Sequence, residues 1–183
     1  MGSAEERPPT SLVRLGRRPA ADDLLGLLLA CHERIRGFSA LAVSLATRAD
    51  LPAAEVVDGC ARLVRYFSEA LPLHARDEEE SVEPRLRGRS PALDEALRRM
   101  ADEHQGHVAP LAELLEGWRA LGERPDDRAL RASLLPPASL LRGAFEVHLR
   151  EEEARIFPHL AALPPFERDE AVRELRARRS AAL

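Results

Sequence analysis

The 183-residue chain has no lysine and no asparagine, and it is sparing with cysteine (two), methionine (two), aromatic residues (4%) and histidine (six). Two cysteines, Cys31 and Cys60, build no disulfide framework and suit a reducing interior. No long hydrophobic run is present. The longest, residues 24–31, is interrupted by Gly26 and falls far short of the roughly 20 residues a membrane span needs, so no membrane association is expected. Excess positive charge is also missing. All 27 basic residues are arginine, which reads as coding composition, and 31 acids outnumber them to give a net charge of −4. Nucleic-acid binding draws on a basic face, so nucleic acid is not an expected partner. Residues 1–20 lack an apolar core and carry two acids, so they do not read as a signal peptide; with the cysteine usage, a cytoplasmic location is expected.

The chain does have a 45% apolar fraction, carried by Leu, Ala and Val, at the length of one domain. No strand alternation competes with helix. Segment A, about 22–48, opens on Asp22 and Asp23 and repeats Leu24, Leu28, His32, Ile35, Phe38, Ala42 and Leu45 at steps of three and four. Segment B follows Pro52 and aligns Val56, Cys60, Leu63, Phe67, Leu71, His74, Glu78 and Val82, with a kink expected at Pro72. Segment C opens on Ser90-Pro91 and runs through Leu97, His104, Leu111 and Trp118, with a second kink expected at Pro110. Segment D follows Pro136-Pro137 and aligns Leu141, Phe145, His148, Glu152 and Ile156. A turn of helix is expected around 127–134. Short connections force antiparallel neighbours, so the predicted fold is all-α: an up-down-up-down four-helix bundle over 21–163, an N-terminal arm over 1–20, and a short C-terminal helix over 164–183 resting on Phe166, Val172 and Leu175 and capping the bundle.

Four of the six histidines fall inside the apolar stripes, one per long segment. His74 is followed by Glu78, and His148 by Glu152. Four residues of helix turn through about 400°, so each pair shares a face about 6 Å apart along the axis. The surroundings repeat too: HARDEEESVEP, residues 74–84, aligns without gaps on HLREEEARIFP, residues 148–158. Segments A and C supply His32 and His104 at matching places, so the chain reads as two similar helical hairpins. An unpaired carboxylate in a core costs several kcal/mol, and a bound cation offsets that cost. Two glutamates from different helices can each bridge two metal ions, leaving four imidazoles to complete four donors per ion. Mixed nitrogen and oxygen ligation with open positions suits iron, with manganese or zinc as substitutes, better than closed structural zinc.

With these residues in this order, the chain resembles the hemerythrin-like family of HHE cation-binding domains over about residues 22–162. The resemblance rests on His32, His74-x3-Glu78, His104 and His148-x3-Glu152, with Phe157-Pro158 after the last motif. It implies a non-haem di-iron centre, two iron ions bridged by Glu78 and Glu152, binding dioxygen or a related diatomic or peroxide ligand. Oxygen-carrying members have a second His four residues after the third-helix His and an Asp five residues after the last; Val108 and Glu153 stand there instead. His107 is an optional extra donor, about 60° around the helix from His104. Glu79 and Glu153 would need helix distortion to ligate.

The reading favours a metal- and oxygen-binding protein over a dedicated enzyme. An enzyme reducing nitric oxide or peroxide and a non-catalytic iron or oxygen sensor are the alternatives, and a homodimer stays open. The expected ligand pocket is formed by Leu28, Ile35, Phe67, Leu71, Leu111 and Phe145. Tyr66 and both cysteines are assigned to packing, His159 to the rim, and Asp77, Glu80, Glu83 and Glu151 to the solvated face.

Overall fold

A computed structural model describes residues 23–181, so the expected arm lies outside the described residues. Asp23 accepts the Gly26 amide at 2.6 Å and starts α1 (Leu24–Thr47), satisfying one of the amides that a helix start leaves unpaired. The second long helix runs over 53–86 in five joined pieces: α2 (Ala53–Arg65), a π turn (Tyr66–Ala70), α3 (Leu71–Asp77), a second π turn (Glu78–Val82) and α4 (Glu83–Leu86). Gly88, with a left-handed φ of 80°, makes the turn that follows. Ser90 accepts the Leu93 amide and Pro91 opens α5 (Pro91–Glu123), which runs unbroken through Pro110. Asp127 caps α6 (Arg128–Ser133), the expected turn of helix in the longest connection. Next come α7 (Leu135–Arg155), with prolines in its first turn, the short α8 (Phe157–Ala161) and α9 (Pro165–Ala181).

The predicted kink at Pro72 takes the form of a π turn. A proline ring collides with the carbonyl four residues earlier and offers no amide, and a widened turn makes room for it. Both π turns stand directly before a proline, Pro72 and Pro84. The matching Pro158 is accommodated differently, by a break at Ile156 (φ −106°) between α7 and α8.

The buried apolar residues fall into two clusters. One holds Ile35 to Ala46 of α1, Val56 to Phe67, Leu111 to Leu121 of α5 and Ala138 to Leu149 of α7. The other holds Leu24 and Leu28, Val82 and Leu86, Leu93 to Met100, and Ile156 onward. Each long helix leaves one cluster and enters the other, and the direction alternates from helix to helix. This is the up-down-up-down arrangement, with α1 beside α2, α2 beside α5, α5 beside α7 and α7 beside α1. Between the clusters lies a thin polar layer.

Two sequence expectations need correction. Phe166 is 69% exposed, and α9 instead buries Ala171, Val172 and Leu175. That helix also lies along α1, α3 and the second π turn, at the level of the polar layer. Asp77 and Glu83 are buried rather than solvated. Asp77 accepts from Arg178 at 2.8 Å and from Arg179 at 2.6 Å, so α9 supplies the charge that lets a carboxylate be buried.

Candidate metal centre

The polar layer is built from one stretch of each bundle helix. His32, His74, Glu78, His148 and Glu152 are buried, at 0–4% exposure, and His104 stands at the edge. The i to i+4 spacing in α3 and α7 places each histidine over its glutamate: His74 Nε2 is 3.5 Å from Glu78 and His148 Nε2 is 3.1 Å from Glu152. The single histidines reach across the bundle. His32 Nε2 lies 3.6 Å from Glu78 and 3.2 Å from Glu152, and His104 Nε2 lies 3.4 Å and 3.8 Å from the same two carboxylates. The imidazoles form two pairs, His32 with His74 at a ring separation of 5.2 Å and His104 with His148 at 4.9 Å, and Phe157 covers the outer face of His32.

Two groups of donors result, His32, His74, Glu78 and Glu152 in one and Glu78, His104, His148 and Glu152 in the other, with the donor atoms of each within 4.8 Å of one another. Glu78 and Glu152 belong to both. All four of their carboxylate oxygens are buried without a hydrogen-bond partner, and so is His32 Nε2. Buried acceptors left unpaired are costly, and these converge on common points, a donor set that fits cations.

Beyond this ring, three histidines donate through their far nitrogen to a carboxylate: His32 Nδ1 to Glu153 at 2.8 Å, His104 Nδ1 to Glu79 at 2.8 Å and His148 Nδ1 to Glu103 at 2.7 Å. This fixes the tautomer that leaves Nε2 free to bind a metal. Glu79 and Glu153, weighed as direct ligands, thus sit behind the histidines. Glu103 was missed, because it meets His148 only across the α5–α7 contact and no spacing within one helix announces it. Arg36 holds Glu153 in place at 3.0 Å.

Charge follows geometry. Burial works against a charged His32, yet Glu152 and Glu78 hold its pKa up to about 10. Burial likewise opposes charge on His104, and Glu78 lifts it to about 9. Burial also opposes ionisation of Glu78, but His74, His104 and His32 keep it well below the usual carboxylate range. Without metal, protons therefore fill the positions that cations would take.

A family model for the hemerythrin HHE cation binding domain matches residues 23–160. The chain belongs to the hemerythrin HHE family. Comparison with curated proteins and with solved structures gave no match. Membership makes this a cation-binding domain, and among the described residues no helix is long and apolar enough to cross a membrane.

The remaining candidates scatter. His107 belongs to neither donor group; its ring packs on Phe145 and His148 at 4.8 and 5.4 Å. Burial and the neighbouring His148 and His104 push its pKa down to about 4, so it is a neutral imidazole. Val108 is 59% exposed. His159 lies exposed on α8. Of the six residues expected to wall a ligand pocket, Ile35, Leu71, Leu111 and Phe145 line a cavity of about 240 Å³ that also touches His74, His104, His107 and His148. Leu28 belongs instead to the core below the layer, and Phe67 stacks on Trp118 and Phe145 in the core above it. Tyr66 stacks on Phe38 at 3.8 Å, away from this cavity.

Proposed function

We propose that this domain holds two iron ions, with His32 and His74 on one, His104 and His148 on the other and Glu78 and Glu152 bridging both, and that it binds dioxygen or a related small molecule beside them. The observation that carries this reading is the sharing of two buried, otherwise unpaired carboxylates between two four-donor groups. Four protein donors per ion leave room for exchangeable ligands, and mixed imidazole and carboxylate ligation suits iron. When bound, a reduced pair supplies two electrons to an acceptor such as oxygen.

The chain's own residues shape the rest. Ile35, Leu71, Leu111 and Phe145 give the 240 Å³ cavity an apolar wall suited to a small neutral molecule. His107, neutral and beside His148, offers a ring N–H there as a hydrogen-bond donor. Glu153, Glu79 and Glu103 hold three imidazoles in orientation.

A second reading, metal-dependent sensing, is favoured by the grip of α9 on Asp77, the residue next to Glu78, which would let loading be felt at the surface. The two are separated by proteolysis: a sensor gains large protection in α9 on loading, whereas a carrier or enzyme changes little.

Anaerobic reconstitution with ferrous iron is expected to load two ions per chain, and oxygen should then bring in the absorption of oxo-bridged ferric pairs. Glu78→Ala or Glu152→Ala should lose the second ion, and His159→Ala should keep both. One ion per wild-type chain, or zinc outcompeting iron, overturns the reading.

A further inference from the structure

A second cavity, of about 670 Å³, opens on the outer side of His74, between α1, the 53–86 helix and α9. Arg34, Arg62, Arg65, Arg76 and Arg179 line it against one acid, Glu69, in a chain whose net charge is −4. Four of these guanidiniums have carboxylate partners: Arg62 with Asp58, Arg65 with Glu69, Arg76 with Glu80 and Arg179 with Asp77. Among the described residues, Arg34 has only its own helix, the Ala30 carbonyl at 3.2 Å and the Cys31 sulfur at 3.9 Å. The stacked rings of Phe38 and Tyr66 form one wall, and Cys31 and His74 form the inner end.

His74 is the odd member of its set. The other three histidines each have a carboxylate within 2.7–2.8 Å of Nδ1, whereas His74 Nδ1 is buried with no hydrogen-bond partner. In place of a carboxylate, the group beside His74 on the cavity side is the Cys31 sulfur, which accepts from Arg34 at 3.9 Å and from Arg179 at 3.6 Å.

We propose that this cavity binds a small organic anion, with a carboxylate or phosphate head and an apolar body, whose head pairs with Arg34 and lies next to His74. A guanidinium without a carboxylate partner keeps N–H donors that match either head group. Phe38, Tyr66 and Leu73 receive the body, and the volume falls in the range of small-molecule sites. The bound head would place a carboxylate or phosphate beside His74 and Cys31, where the other three histidines have Glu153, Glu79 and Glu103. The site needs no metal in place and shares only His74 with the iron centre, so either proposal can fail alone.

The test uses the full chain, metal-free and metal-loaded, titrated with the fluorescent aromatic sulfonate 8-anilinonaphthalene-1-sulfonate. Phenylacetate, phenyl phosphate and uncharged benzyl alcohol serve as competitors. One probe per chain is expected, displaced by phenylacetate or phenyl phosphate but not by benzyl alcohol, and whichever displaces it at lower concentration identifies the head group. Arg34 is exposed, so Arg34→Gln and Arg34→Glu should keep the helical circular dichroism while raising the probe Kd about tenfold or more, some 1.4 kcal/mol. Equal binding by wild type and both variants, or displacement by benzyl alcohol as readily as by the anions, overturns the proposal.

Discussion

A glutamate one residue after Glu78 or Glu152, the proposed bridges, points about 100° away around the helix, which removes Glu79 and Glu153 from the shared centre and aims them at the backs of histidines from neighbouring helices. The doubled acids in both halves of the repeat are therefore proposed ligand and orienter side by side. Such outer partners typically change metal affinity by about 10- to 100-fold. Glu153→Ala and Glu103→Ala are expected to weaken metal binding by that order while leaving two sites, as a chelator competition would show; loss of a whole site would instead make them ligands. His74 with Glu78 and His148 with Glu152 were legible because i to i+4 spacing on an apolar stripe is a property of one helix, and His32 and His104 because each interrupts the apolar stripe of its own helix. Glu103 and Asp77 were not, since each owes its role to a partner on another helix, Glu103 to His148 and Asp77 to two arginines about a hundred residues later.

At the scale of elements, helix positions were readable from caps and apolar periods: Asp23, Ser90 and Asp127 each accept the amide three residues on, as their types predict. The π turns before Pro72 and Pro84 were not, because proline announces only that a regular turn fails and the surroundings decide how it is replaced. A close approach hides in the same way: a Cβ on Gly117 would press on the end of the Leu134 side chain, which would have to shift, so glycine eases the packing of the residue that caps α6 against α5. The placement of α9 depends on buried charge. Breaking a buried ion pair from one side costs about 3–5 kcal/mol, so Asp77→Ala should destabilise the protein by that order and speed amide exchange first in α9. Uniform exchange across the bundle would mean that α9 is held by its apolar face alone.

The molecule as a whole is two apolar cores joined through a charged layer, and its stability should follow the state of that layer. Because the folded pKa values of His32 and His104 are raised, to about 10 and about 9, their contribution is complete below the ordinary histidine range, about 6.5, and is lost as pH rises through those values. The Tm of the metal-free protein is therefore expected to fall between about pH 7 and pH 10. With metal on Nε2 that fall should disappear, and metal affinity should climb over the same interval, since each ion displaces those protons. A calorimetric series with and without iron reads both; a metal-free Tm that rises over the interval would contradict the assignment.

The two halves of the repeat are alike in sequence but unequal behind the ligands. His104 and His148 are each backed by a carboxylate, which makes their free nitrogens stronger donors, whereas on the other side only His32 is so backed. Under the proposed two-ion reading, so unbalanced a pair of positions is expected to fill in order. The α5–α7 position is expected to take the first ion and the His32–His74 position the second, so that limiting supply should give a half-filled form with a weaker seat open to a different metal.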